Sequence, residues 1–388
     1  MTADHRPLTI DRRRPTADRR PASTIYPLPS IVEQTMPKPI IYATDPASLA
    51  RDGLTDTVRA WEDSLRADTG RGSFEWWYFD AHFEDGSTAV IVFLTKSLLH
   101  RNRPLQPGVS LTITRPDGVK LVELPFFTPE QFTASEEICD VRIGPNWVKY
   151  RASDGPGWEY VLHVETGDLS ADLIFTGLVP PWRPGAGKSC FGDLKHYFAW
   201  LPAIPHGRVT GTLTYEGQTH PVTGNGYHDH NWGNVGLNKV MDRWYWGRAH
   251  IGEYTLIFVE QIATKAYGSQ RLPVFMLAQG DQILIGDGRP LRMTARDLAE
   301  HADGRRYPRE VDFYWQADTG RVQLALRNPQ MLEAVTLLHF PAWQRAILRL
   351  FVNPYYFRFN VDLELRVELG DLRDTVRGSA LYEVMLLR

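Results

Sequence analysis

An all-β fold is predicted for this chain, and three observations carry the prediction. From Phe74 onward short apolar runs alternate with turn-forming residues. Helical signals are few. An aromatic segment recurs in the two halves of the sequence.

Taken in order, Thr88–Leu94, Val109–Thr114, Trp147–Arg151, Glu159–Glu165, Ala171–Leu178 and Gly207–Tyr215 read as strands. Turns are expected at Glu84-Asp85-Gly86, Pro116-Asp117-Gly118 and Glu216-Gly217. The pattern resumes after residue 240. Trp244–His250, Thr255–Glu260, Val274–Ala278, Val311–Trp315, Val322–Leu326, Asn360–Val367 and Leu381–Leu387 are its strands. Two helices are expected: Thr294–His301, with Thr294 as N-cap, and Trp343–Phe351, as a core helix or a lid.

The recurrence sets the domain plan. Trp77-Tyr78-Phe79-Asp80-Ala81-His82-Phe83 precedes a turn and an apolar strand, and so does Tyr245-Trp246-Gly247-Arg248-Ala249-His250-Ile251. Two related β domains in tandem follow from this. A length of 388 residues suits two domains and a tail. We expect a disordered leader over 1–55, rich in Arg, Asp, Pro and Thr, a first domain over 56–235 and a second over 236–388. Antiparallel sheets of this size protect their edges by closing into barrels or packing as sandwiches. Barrels of about eight strands can hold a small ligand.

Composition excludes several classes of function. Net charge is −3, which gives no general attraction to nucleic acid. Arg12-Arg13-Arg14 and Arg19-Arg20 are interleaved with Asp4, Asp11 and Asp18, which weakens a basic-arm reading. Cys139 and Cys190 form neither a metal spacing nor a disulfide framework, although a single bridge stays open. No stretch approaches the ~20 apolar residues of a membrane span. No signal peptide is evident, so a soluble, cytoplasmic protein is expected. Phosphate-binding loops, dinucleotide fingerprints and the serine-hydrolase elbow are all missing from the sequence.

Chemistry concentrates in Tyr227-His228-Asp229-His230-Asn231-Trp232-Gly233, flanked by Gly224 and Gly226. On a strand, Tyr227, Asp229 and Asn231 share one face, and His228, His230 and Trp232 the other. An apolar pocket raises a carboxyl pKa, so Asp229 is a candidate acid and Tyr227 its relay. A buried hydrogen-bond knot tying the domains is the competing reading. A metal on His228 and His230, joined by His196, His206 or His220, is a weaker one. Glu75, Trp77 and Tyr78 belong to a second cluster, Phe74–Asp80, read as core or as pocket lining. Trp246 and Arg248 lie in a third, Arg243–Arg248, where Arg248 would pair with Asp80 or with Asp229. The second pairing would lower the pKa of Asp229 and count against the acid. Trp200 is either core or a cation-stabilising ring.

Together, Phe74–Asp80, Gly226–Gly233 and Trp244–Ala249 resemble the carotenoid 1,2-hydratase (hydroxyneurosporene synthase) superfamily. That group also holds lipocalin-like Diels–Alderases and other cofactor-free cyclases of secondary metabolism. The resemblance covers roughly residues 60–388. It implies two lipocalin-like domains, a ligand cavity within or between them, and no cofactor. It places the hydratases' Tyr-x-Asp pair, tied to protonation of an isoprenoid double bond, on Tyr227 and Asp229. An upstream Trp corresponds loosely to Trp200. Trp244–Arg248 is closer to the cyclase-like members than to the carotenoid enzymes.

The expected function is therefore cofactor-independent cyclisation, or alkene protonation and hydration, of a hydrophobic polyene. Carotenoid 1,2-hydration proper is the near alternative. A lipid or pigment carrier is the alternative of another class. Expected partners are a hydrophobic small molecule and no nucleic acid. Substrate uptake leaves room for peripheral membrane contact.

Overall fold

A computed structural model describes residues 36–97, 101–336 and 354–388. Pro37–Arg388 forms one compact unit built on two antiparallel sheets. The first runs β5 (Lys120–Glu123), β4 (Gly108–Thr114), β3 (Thr88–Leu94), β2 (Phe74–Phe83), β13 (Gln218–Gly233), β12 (Tyr197–Tyr215), β10 (Leu169–Gly177), β9 (Glu159–Thr166), β8 (Asn146–Arg151), β7 (Asp140–Ile143), β6 (Phe132–Ala134). Beside it, β11 (Lys188–Phe191) joins β12 to β1 (Ile40–Tyr42). The second sheet runs β17 (Gln282–Ile285), β16 (Arg271–Gln279), β15 (Tyr254–Ala263), β14 (Met241–Ile251), β22 (Leu372–Leu386), β21 (Tyr355–Leu369), β20 (Gly320–Thr336), β19 (Arg306–Ala317), β18 (Arg292–Glu300).

The two paths share one topology. In each, the strand that carries the recurring aromatic segment (β2 or β14) starts a descending meander on one side. On its other side it pairs with the last strand of its sheet, β13 or β22. Each sheet curls until its far strands meet over one core. Leu111 of β4 and Val141 of β7 share the first core, and Ile285 of β17 and Met293 of β18 share the second. Two lipocalin-like half-barrels result, and each hydrogen-bond path keeps two ends.

Turn chemistry fixes the hairpins. Glu216 (φ 53°) and Gly217 (φ 73°) close β12 onto β13 with both central residues left-handed, as a two-residue hairpin loop of this twist requires. The long strand β12 exchanges neighbours on its other edge. Gly207–Thr214 pairs with β10, whereas Tyr197–Ala199 pairs with β11. Irregular register at Pro202–Gly207 marks the exchange. The chain fills the gap with Val179–Gly187, held by Trp182 N–H to Pro202 O at 3.0 Å and Trp200 N–H to Gly187 O at 2.8 Å.

Several expectations need correction. Thr294–His301 is not a helix; it falls on β18, paired to β19. Asp297 there has a φ of 50°, which no α-helix admits. Helix propensity differs by under ~1 kcal/mol per residue, so a full ladder overrides it. The leader expectation also reaches too far. Ile40–Tyr42 is a strand of the first sheet, and Pro46–Arg51 is an α-helix (α1) capped by Asp45. Trp343–Phe351 lies outside the described residues. Cys139 and Cys190 are both buried and free.

Candidate active site between the two sheets

Strand β13 places its polar run through full pairing on both sides, to β2 and to β12. Gly226 lets β13 lie flat against its neighbours. A Cβ there would sit 2.5 Å from Val209 Cγ2 and 2.6 Å from Phe175 Cε1. Alternation then sends the two faces of Tyr227–Trp232 to different places.

His228 and His230 point into the first half-barrel. There they meet Asp63, at the end of the 3₁₀ turn Ala60–Asp63. His228 Nε2 lies 3.2 Å from Asp63 Oδ2, and its Nδ1 donates to the Tyr78 carbonyl at 2.9 Å. His230 Nε2 bonds Glu75 Oε1 at 2.7 Å; its Nδ1 is 3.2 Å from Asp63 Oδ1, off the line a hydrogen bond needs. Tyr160 donates to Asp63 at 2.7 Å, and the N–H groups of Arg66 and Ala67 donate to Glu75. Phe79 stacks on His228 and Trp77 on His230. Burial opposes charge on Asp63, yet the two histidines hold its carboxyl well below the usual range. Burial likewise opposes charge on His230, and Asp63 and Glu75 outweigh it and raise its pKa. Trp232 leans on His230 and packs with Val58, Ala67, Ala199 and Leu201.

Tyr227, Asp229 and Asn231 face the other way, out of the first half-barrel and toward the second sheet. They lie between the two half-barrels, beside an apolar cluster shared with the second sheet. Asp229 accepts three hydrogen bonds: Tyr227 OH at 2.7 Å, Trp200 Nε1 at 2.8 Å and Asn231 Nδ2 at 2.6 Å. Around them lie Trp182, which meets Trp200 edge-on, and Trp246, which meets Tyr227 edge-on. Ile257, Val259, Val274 and Met276 of the second sheet complete the apolar wall. Burial raises the Asp229 pKa, and the three donors only partly offset it. Burial, then Asp229, push the Tyr227 phenol well above 10.

Arg248 does not pair with Asp229. It bonds Asp80 and lies over the Tyr227 ring, 5.0 Å from its centre. Arg358 of β21 also faces Asp80, at 3.5 Å, and Tyr78 donates to the same carboxylate at 3.0 Å. With no cation on it, Asp229 keeps the character of a buried acid. Tyr227, Asp229, Asn231, Tyr78, Trp200, Trp246 and Arg248 thus come together in the crevice. Glu75, Trp77, His228 and His230 belong to the interior network instead.

The histidines weighed as metal partners diverge. His196 bonds Asp193, His206 stacks on His250, and His220 stacks on Tyr215. Among the described residues no three His, Cys, Asp or Glu are set to hold a metal ion. An open hollow of about 310 Å³ lies elsewhere, on β19–β21, lined by Asp312, Tyr314, Gln323, Glu364 and Arg366.

Sequence reasoning missed Asp63, Tyr160, Trp182 and Arg358. Asp63 is one carboxylate beside Glu62, with partners 165 residues away. Only Arg358 left a trace, as a cation alternating with aromatic residues in Tyr355–Phe359.

Known proteins resemble this chain in sequence and in shape. Hydroxyneurosporene dehydrogenase of Chlorobaculum tepidum is 28% identical over 48% of this chain and 56% of its own length. Diels-Alderase cheD of Chaetomium globosum is 21% identical over 71% of this chain and 64% of its own. Ceramide-binding protein svf1 of Emericella nidulans is 23% identical over 56% and 60%. This chain therefore spans less than two thirds of each of these relatives. The crystal structure of CghA with Sch210972 shares the fold, with a TM-score of 0.59 and 14% identity over 86% of this chain and 96% of that one. The AttH-like family model matches residues 126–346, more than half of the sequence, and the chain belongs to that family.

Proposed function

We propose that this protein is a cofactor-independent enzyme that binds a hydrophobic polyene in the crevice between its sheets. There it promotes intramolecular cyclisation or protonates one alkene. One observation carries the reading: a buried carboxyl, Asp229, with a raised pKa, free of any cation and joined to Tyr227 OH. In its protonated form Asp229 donates to the Tyr227 oxygen, and the phenol passes its own proton outward. In alkene protonation the O–H bond breaks, a C–H bond forms, and a second double bond or water captures the cation and returns a proton. In cyclisation no net proton moves; the same O–H polarises a conjugated carbonyl. Tryptophan walls suit both, because ring faces attract developing positive charge. Holding a flexible chain in reactive shape supplies ~7–11 kcal/mol of itself. The relative named as a Diels-Alderase supports this class of reaction.

Incubating the purified protein with a linear polyene precursor tests the proposal. Conversion is expected in the wild type and not in Asp229→Asn or Tyr227→Phe. Full turnover by both variants would remove the assigned roles.

Carriage without conversion is the second reading, favoured by the relative named for ceramide binding. Mass spectrometry of co-purifying material separates the two. An unchanged lipid supports carriage, and an isomerised or mass-shifted product supports catalysis. Exposed Val122, Leu124 and Phe126 of the first sheet, with Met331, Leu332 and Val335 of the second, support membrane contact during uptake. No described helix is long and apolar enough to cross a membrane.

A further inference from the structure

The polar floor of the crevice holds more donor capacity than it uses. Arg248 and Arg358 carry five N–H donors each. Arg248 spends one group on Asp80, and its Nε is buried with no partner. Arg358 reaches Asp80 at 3.5 Å and Glu383 at 3.6 Å, both beyond the 2.7–3.2 Å of a good N–H···O bond. Neither side chain is free in water: Arg248 is 14% exposed and Arg358 13%. Buried donors left unpaired cost ~1–3 kcal/mol each.

Charge points the same way. Two guanidiniums share one carboxylate, Asp80. Burial, with a smaller push from Asp80, raises the pKa of Glu383, and Arg358, Tyr356 and Arg248 only partly offset it, which weakens it as the second counter-ion. His82 and His206 on the neighbouring strands are held neutral, at about 4 and about 3, by burial and in part by Arg248. Tyr78 donates to Asp80 and Tyr356 to Glu383, so neither hydroxyl offsets the surplus. His250, stacked on His206, also has its pKa lowered by burial.

We propose that Arg248 and Arg358 together receive the anionic oxygen group of the substrate, a carboxylate or an enolate, conjugated to its polyene. This rests on the polyene reading above and adds a head group to it. The planar forks match two oxygens on one group. Arg248, lying over Tyr227, sets that head beside the Tyr227–Asp229 pair, and the apolar tail runs along Trp246, Trp200 and Trp182. Both arginines are positioning residues; the proton still comes from the Tyr227 phenol, backed by Asp229.

Fluorescence titration with parinaric acid and its methyl ester tests this, because both are conjugated polyenes and only one is an anion. Wild type is expected to bind the acid at least tenfold tighter than the ester. Arg358→Met and Arg248→Met should shrink that ratio below threefold and leave ester binding intact. Removing one arginine strands Asp80, so Asp80→Asn is the informative companion. It keeps both guanidiniums, removes their competitor, and should widen the acid preference. Equal affinity for acid and ester in wild type overturns the head-group assignment while the polyene reading stands. An acid preference unchanged in all three variants does the same. Binding of neither probe overturns both.

Discussion

One run of six consecutive polar and aromatic residues, Tyr227–Trp232, supplies two sites of opposite character. The histidine face of β13 is closed: His228 and His230 find carboxylates fixed by backbone N–H groups, a phenol and stacked rings. The tyrosine face is open to the second sheet. Asp229 there is 8% exposed. Charge on the first face is balanced inside the protein. On the second, burial raises the pKa of the carboxyl, and two nearby guanidiniums share Asp80. The same alternation that makes a strand thus separates a structural knot from the proposed site by the width of one backbone.

The contrast breaks most visibly at Asp63. Asp63→Ala leaves His228, His230 and Tyr160 buried without their partner, and a loss of about 3–5 kcal/mol is expected. Urea unfolding measures it; a loss under about 1 kcal/mol would mean the interior network is not the knot. Asp229→Asn should act in the opposite sense. Turnover drops by ~10²–10⁴, the usual contribution of a positioned acid, with little change in the unfolding midpoint. If stability falls instead while turnover stays, the two faces have been assigned the wrong way round.

Titration sharpens the comparison. His230 has a raised pKa, so its contribution to stability is complete below its ordinary 6.5 and is lost as pH climbs through the raised value. Asp63 has a lowered pKa, so its contribution holds above 3.8 and disappears only as pH falls through the lower one. Asp229 is raised, so activity that needs its proton should decline as pH rises through that value. Rate and unfolding midpoint measured against pH in parallel will show whether the rate limb vanishes in Asp229→Asn while the His230-linked loss of stability persists.

Gly226→Ala should cost about 1–3 kcal/mol, because the new methyl overlaps Val209 and Phe175. Thermal unfolding is the readout, and an unchanged midpoint would show that β13 can shift. The gentlest test is Trp200→Phe. It removes one donor from Asp229 and should move the acid limb of the rate profile to higher pH rather than abolish it. No movement of the limb would show that the indole does not tune this carboxyl.

Much of the fold was legible, because strands such as Thr88–Leu94 carry their turns beside them and need no distant information. Thr294–His301 misled for the converse reason. Its residues favour a helix locally, and only the distant β19 makes it a strand. At the site, alternation alone separated Tyr227 and Asp229 from His228 and His230. It did not tell which face looks inward, because both carry aromatic rings and charge. The choice of Asp80 over Asp229 by Arg248 depends on the docking of two sheets, which no local pattern encodes.

The pairing of β2 with β13, and of β14 with β22, has a consequence in time. As the chain is made, β2 waits with one edge bare for about 135 residues, until β13 exists to cover it. β14 then waits for β22. Neither half can complete its ladder early, and long-range closure of this kind is slow. Shortening the chain by the length of β22 would strip a partner from β14 and β21 at once. A small lesion in β22 would leave two strand edges exposed to other chains.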